Sequence, residues 1–295
     1  MEKSGMVAAI AAATSSLGAR IFAAEEAAAT VGVGGKINHS VCKWCFDGIP
    51  MEEFCVAAKE IGLQSVELLA PSDFTVLNKH GLTCALIASA TGTTKDGVKV
   101  GGIEKSFNRL EHHDTLQEVN EAMLQECAKV GAKQLIVFSG NRDGMDDELG
   151  MENCAIGLKR IMPMAEKLGI VITMELLNSR VNHADYMCDL SKWGTALVDK
   201  VGSENFKLLF DIYHMQIMEG DIIATIKAKN SYFSHYHTGG VPGRGEIDDT
   251  QELFYPAIMK AIVDTGYKGY VAQEFIPKRA DKIASLKQAV GICTV

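Results

Sequence analysis

The chain has 295 residues, 47% of them hydrophobic, with 37 acidic against 29 basic residues and a formal net charge of −8. A chain of this size and apolar content builds a sizeable core and excludes extensive disorder. It has no basic run and no interleaving of aromatic with basic residues, so nucleic acid is not an expected partner.

Residues 1–35 are Ala-rich and end in Gly34-Gly35, unlike the remainder. They read as a leader or N-terminal extension. One reading is the remnant of an export signal, with an apolar stretch before an Ala-Arg-Ile-Phe-Ala-Ala zone; the other is an N-terminal helix of a cytoplasmic protein. Localisation stays open with it: cytoplasmic as given, periplasmic if the segment is an export remnant. Arg20 and the Ser, Thr and Gly residues around it argue against a membrane span. Eight cysteines (42, 45, 55, 84, 127, 154, 188 and 293) fall mostly in apolar segments, as small buried hydrophobes do. Cys42-Lys-Trp-Cys45 has no second C-x-x-C to complete a zinc site and opens no helix as a redox pair would.

From residue 36 a short apolar run, a loop and a segment of helical period repeat eight times. Strands are expected at 37–42, 65–69, 82–88, 134–139, 170–175, 207–211, 232–237 and 269–275. Helices are expected at 51–61, 73–80, 108–130, 148–168, 191–201, 215–229, 252–265 and 280–291. Strict alternation argues for a parallel sheet, and eight units in one chain argue for closure into a single (β/α)8 TIM barrel over residues 36–295. An open doubly wound sheet is the alternative, but no G-x-G-x-x-G follows the first strand.

Such a barrel carries its site at the C-terminal ends of the strands. The fifth strand runs out in Glu175, the sixth in Asp211, the seventh in His237 and the eighth in Glu274. Any one of these alone reads as a cap or an ion-pair partner. Four on consecutive strands are neighbours around half of the mouth, and a buried carboxylate needs a cation. Three carboxylates with one imidazole favour one divalent cation, Mg²⁺ or Mn²⁺, with Co²⁺ or Zn²⁺ as alternatives. His214, three residues beyond Asp211, is expected to contact substrate. Arg244 and Arg180 are candidate forks for a carboxylate or hydroxyl-rich substrate. Lys43 and Trp44 form the opposite wall, Glu67 supports it, and His235 sits in a lower layer on the face of His237.

The segments Glu175-Leu-Leu-Asn178-Ser-Arg180, Asp211-Ile-Tyr-His214, His235-Tyr-His237-Thr-Gly-Gly-Val-Pro-Gly-Arg244-Gly-Glu and Gln273-Glu274 resemble the xylose isomerase-like barrel family of sugar isomerases and epimerases, most of all its hydroxypyruvate isomerase branch. The resemblance spans roughly residues 36–290. It implies that Glu175, Asp211, His237 and Glu274 bind the metal, that Glu175 and Glu274 also move the proton, and that His214 holds a substrate oxygen. It implies a small-molecule substrate, hydroxypyruvate or a small sugar, and leaves a homo-oligomer open. A dication chelating adjacent carbonyl and hydroxyl oxygens stabilises the enediolate formed when the intervening C–H loses its proton. Return of the proton to the neighbouring carbon gives isomerisation, of hydroxypyruvate to tartronate semialdehyde for example. Return to the opposite face of the same carbon gives epimerisation, and His237 is the residue that ketose 3-epimerases of the family use at that place. A non-catalytic sugar-binding protein is the remaining alternative. An abasic-site endonuclease would need more His ligands and a basic face.

Overall fold

In the computed structural model, which describes residues 35–295, the apolar runs form the staves of a parallel barrel and the amphipathic segments cover them. The proposed leader, up to residue 34, lies outside the described residues. The main sheet consists of β1 (Asn38–Val41), β4 (Gln134–Val137), β5 (Val171–Glu175), β6 (Phe206–Asp211), β7 (Phe233–Thr238) and β8 (Tyr270–Gln273), in spatial order β1-β8-β7-β6-β5-β4 and all parallel. β2 (Gly92–Thr93) and β3 (Lys99–Val100) form a separate antiparallel hairpin.

The runs at 65–69 and 82–88 close the ring between β1 and β4 through isolated bridges: Cys42 with Glu67, Ser65 with Thr83, Leu69 with Ile87 and Ile87 with Leu135. Backbone bonds such as Glu67 N to Val41 O (2.8 Å), Val66 N to Thr83 O (3.0 Å) and Ile136 N to Ile87 O (3.1 Å) carry the pairing around. Leu68 explains why the first of these runs is not a regular strand. Its φ of 57° lies in the left-handed region, which a branched side chain enters only under tertiary constraint, and that breaks the ladder.

Helices α1 (Met51–Ile61), α2 (Phe74–Lys79), α3 (His113–Val130), α4 (Asp147–Leu168), α5 (Ser191–Val201), α6 (Ile212–Met218), α7 (Ile222–Lys229), α8 (Tyr255–Asp264) and α9 (Lys282–Cys293) complete the units. α4 shows how the local chemistry sets an element. Asp146 caps it by accepting from Glu148 N and Leu149 N, and Gly169 ends it in the left-handed region at φ 64°, turning the chain into β5. The one helix expected at 215–229 is two, because Gly220 and Asp221 both adopt positive φ between α6 and α7. The eight cysteines are free and buried, as expected of small hydrophobes.

Candidate active site

Strand register brings the four strand-end residues to one level. Asp211 pairs directly with His237 across β6 and β7, and Glu175 pairs with Leu209, two residues before Asp211 and therefore on the same face. Glu274 follows β8 and ties its amide to Thr238 O at 3.0 Å. All four side chains are buried, and one ligand atom from each lies within 4.8 Å of the others. His237 Nδ1 stands 2.6 Å from Glu274 Oε2 and 3.5 Å from Glu175 Oε1. Glu175 Oε1 is buried without a hydrogen-bond partner. A lone carboxylate oxygen aimed at an imidazole and two further carboxylates is the donor set of a divalent cation, and the residues fit one.

The electrostatics separate the two glutamates. Burial raises the Glu175 carboxyl, only partly offset by the nearby His237 imidazole. Burial acts on Glu274 too, but Arg244 and His237 outweigh it and hold this carboxyl well below the usual range. Asp211 is pushed up to about 7 by burial, against the pull of Arg244. Arg244 is central to all three. Its Nη2 donates to Asp211 Oδ2 at 2.7 Å and also to Glu274 Oε2, and its Nε donates to the Glu274 carbonyl at 3.0 Å. The guanidinium lies 5.8 Å from the Trp44 ring and 5.2 Å from the Tyr213 ring.

Asp211 caps α6 by accepting from His214 N at 3.1 Å, which sets His214 behind the cluster with its Nε2 3.7 Å from Asp211 Oδ2 and 2.9 Å from Arg244 Nη1. Asn178 donates through its side-chain amide (2.6 Å) and its backbone N–H (3.2 Å) to His214 Nδ1. Burial first, and Arg244 second, push the His214 pKa well below its ordinary value, so the ring is neutral. Trp44 Nε1 donates to Glu274 Oε1 at 2.8 Å, placing that indole in the wall as expected. Lys43 and Arg180 are not brought to the cavity. Lys43 bonds to Phe46 O at 3.3 Å and lies over Phe54, while Arg180 is tied to Ile217 O at 2.8 Å on the exposed side of the loop.

A cavity of about 280 Å³ opens over Glu175, Glu274 and Arg244, walled by Trp44, Leu68, Phe138 and His183 among others. Among the lining residues that sequence reasoning missed, His183 is the one titratable group. It is a single histidine in a polar loop with no periodicity to mark it; its position follows from Asn178, whose Oδ1 accepts from Val181 N and Asn182 N and folds the loop back over the mouth.

The model of the xylose isomerase-like TIM barrel family matches residues 55–290. A Homo sapiens protein provisionally named hydroxypyruvate isomerase is 35% identical over 245 residues, covering 78% of this chain and 85% of the relative. The 2-oxo-tetronate isomerase of Cupriavidus necator is 28% identical over 243 residues, covering 77% and 87%. Among solved structures, an AP endonuclease, family 2, from Brucella melitensis superposes with a TM-score of 0.74 at 25% identity, covering 86% of this chain and 97% of that one.

Proposed function

The chain belongs to the xylose isomerase-like TIM barrel family, and from that premise we propose that it is a divalent-metal-dependent isomerase acting on a short hydroxy-carbonyl compound through an enediolate, with hydroxypyruvate to tartronate semialdehyde as the leading reaction. The observation that carries this reading is the buried convergence of Glu175, Asp211, His237 and Glu274 at the barrel mouth, with Glu175 Oε1 lacking a partner. These four side chains would hold the cation, Mg²⁺ or Mn²⁺ by their oxygen-rich chemistry. When bound, it supplies electrostatic stabilisation of the negative charge that develops on the two substrate oxygens.

The chain's own residues account for the proton. Two carboxyls whose environments push them apart divide into base and acid. Glu274, held ionised by Arg244 and His237, takes the proton from C3 of hydroxypyruvate; Glu175, ionised while it holds the cation but the carboxyl that burial most favours in protonated form, receives that proton from Glu274 and delivers it to C2. The hydroxyl proton passes from O3 to O2, which leaves the product isomeric with the substrate. The Arg244 guanidinium faces the oxygens of the bound compound, whereas His214, expected from the sequence to contact substrate, is fully buried outside the cavity lining and stands behind Arg244. Arg244 also matters for charge. It offsets one of the three carboxylates, so the dication leaves the centre neutral before substrate enters. The cavity supports a compound of three or four carbons: beyond the centre its walls are largely Leu68, Ile103, Phe138 and Leu177, which offer no hydrogen bonds to a long polyol.

The test is turnover in D2O followed by NMR, using hydroxypyruvate and a panel of ketoses, on protein stripped of metal and reloaded with Mg²⁺ or Mn²⁺. We expect metal-dependent deuterium incorporation at C2 of the isomerised product. Turnover that survives chelation overturns the metal reading; faster exchange at C3 of a ketose replaces isomerisation with 3-epimerisation.

A further inference from the structure

Beneath the four strand-end residues lies a second polar layer to which the proposed reaction gives no part. Glu67, from the irregular stave after β1, is fully buried, as are Ser40, Cys42 and His235 around it. Glu67 Oε1 lies 2.9 Å from His237 Nε2 and 2.7 Å from His235 Nε2, and the Ser40 hydroxyl donates to Oε2. The two imidazoles are adjacent on the inner face of β7, their ring centroids 5.1 Å apart.

Glu67, His235 and His237 also stand close enough together to suggest a second cation site, as do Cys42, His237 and Glu274. The hydrogen bonding argues against both. The two oxygens of Glu67 are already occupied by two imidazole N–H groups and a hydroxyl, whereas Glu175 Oε1 on the other side of His237 has no partner. The Cys42 thiol, raised well above its ordinary value by burial, is not a thiolate ligand. A cation therefore belongs on the Nδ1 side of His237 alone.

We propose that Glu67 is the positioning residue of the metal centre: by accepting the Nε2–H of His237, it locks the ring so that Nδ1 faces Glu175, Asp211 and Glu274. The inference rests on the metal-centre reading above. An imidazole can ligate through either nitrogen, and the bond made by the far nitrogen decides which one is free and where the ring points. Here that bond is to a carboxylate, which also makes the ring a stronger donor. Ser40 holds the other oxygen of Glu67 and fixes the direction of the acceptor. His235 adds a second N–H, which lets the carboxylate stay buried.

The experiment uses the full chain and Mn²⁺ as the probe, with two readouts that do not depend on turnover. Mn²⁺ affinity is measured by calorimetry for the wild type, Glu67→Gln and Glu67→Leu, each checked for folding by circular dichroism. The His237 Nε2 proton is followed by nitrogen-edited NMR in the metal-free and Mg²⁺-loaded wild type. Loss of a partner on the far nitrogen weakens metal binding by about 10- to 100-fold. Glu67→Leu is therefore expected near the upper end. Glu67→Gln, which keeps an acceptor but loses the charge, is expected near the lower. His237 Nε2–H should be downfield-shifted and protected from exchange in the wild type. Affinities of the folded variants within twofold of wild type overturn the proposal, as does an unprotected Nε2–H. If Glu67→Leu does not fold, Glu67→Gln and the wild-type proton decide. A wild type that fails to bind Mn²⁺ removes the metal-centre reading alone, and the protected proton then judges by itself whether Glu67 holds His237.

Discussion

Binding of the proposed cation to this site must displace protons, and the structure sets the pH range in which that costs affinity. Asp211 is buried against Glu175 and Glu274, and burial pushes its carboxyl up to about 7 even with Arg244 alongside. A cation needs the carboxylate, so the apparent affinity falls by the factor 1 + 10^(pKa − pH) as the group protonates. With a pKa near 7, that factor is about 1.3 at pH 7.5 and about 33 at pH 5.5. Mn²⁺ should therefore bind about 25-fold more weakly at pH 5.5 than at 7.5 from Asp211 alone, and more weakly still once Glu175, also raised, takes part. The same shift acts on the metal-free protein. Where the native state binds a proton that the unfolded chain has released, stability falls as pH rises, so the contribution of Asp211 is complete below its unfolded pKa of about 4 and is lost by about pH 7. The assay is calorimetric titration of Mn²⁺ at several pH values, in buffers of differing ionisation enthalpy, to count the protons released. An affinity constant to within twofold across this range, or a heat independent of the buffer, would refute the reasoning.

Three further outcomes follow from named contacts. Arg244→Met leaves Asp211 and Glu274 buried without their cation, a loss of about 3–5 kcal/mol in metal-free protein; thermal unfolding should show the deficit, and saturating Mn²⁺ should recover more stability in the variant than in the wild type. Glu274→Gln removes the proposed base, and single-turnover rates on hydroxypyruvate should drop by about 10²- to 10⁴-fold, with the cavity and fold intact by circular dichroism. Gly157→Ala places a methyl 2.6 Å from Nε2 of the His113 ring, which is itself tied to Phe107 O at 2.8 Å and cannot retreat, so urea denaturation should show about 1–3 kcal/mol of lost stability without a change in metal affinity.

The half of the barrel that carries the candidate site is also the half most legible in the sequence. β5, β6 and β8 are largely buried on both faces and read as mostly apolar runs, so a charged residue at the end of such a run stands out, while in β7 the alternation of His235 and His237 marks the inner face. The runs at 65–69 and 82–88 also read as strands, yet they close the ring only through bridges; in the first, Leu68 takes a left-handed conformation that nothing in its side chain announces. The β2–β3 hairpin was missed although Asp96-Gly97 marks its turn; its two-residue strands are too short for an alternation to register. The break at Gly220-Asp221 was likewise written in the sequence but outweighed by the helical period on either side.

Arg244 marks a different kind of limit. In the sequence, a single Arg among glycines after a strand looks like a hand held out to substrate, and its distance from Asp211 and Glu274 along the chain says nothing about which charge it meets. In the fold it is nearly as buried as the carboxylates it joins, spread over Asp211, the Glu274 side chain and the Glu274 carbonyl. That placement makes the two glutamates unequal. Arg244 bonds to Glu274 and keeps it ionised, but has no hydrogen bond to Glu175, which burial keeps raised. The proposed division into base and acid thus rests largely on one guanidinium that bonds to one carboxylate and not the other, with His237 acting beside it on Glu274. Exchanging Arg244 for a residue without a fork should bring the two carboxyls together before it does anything else.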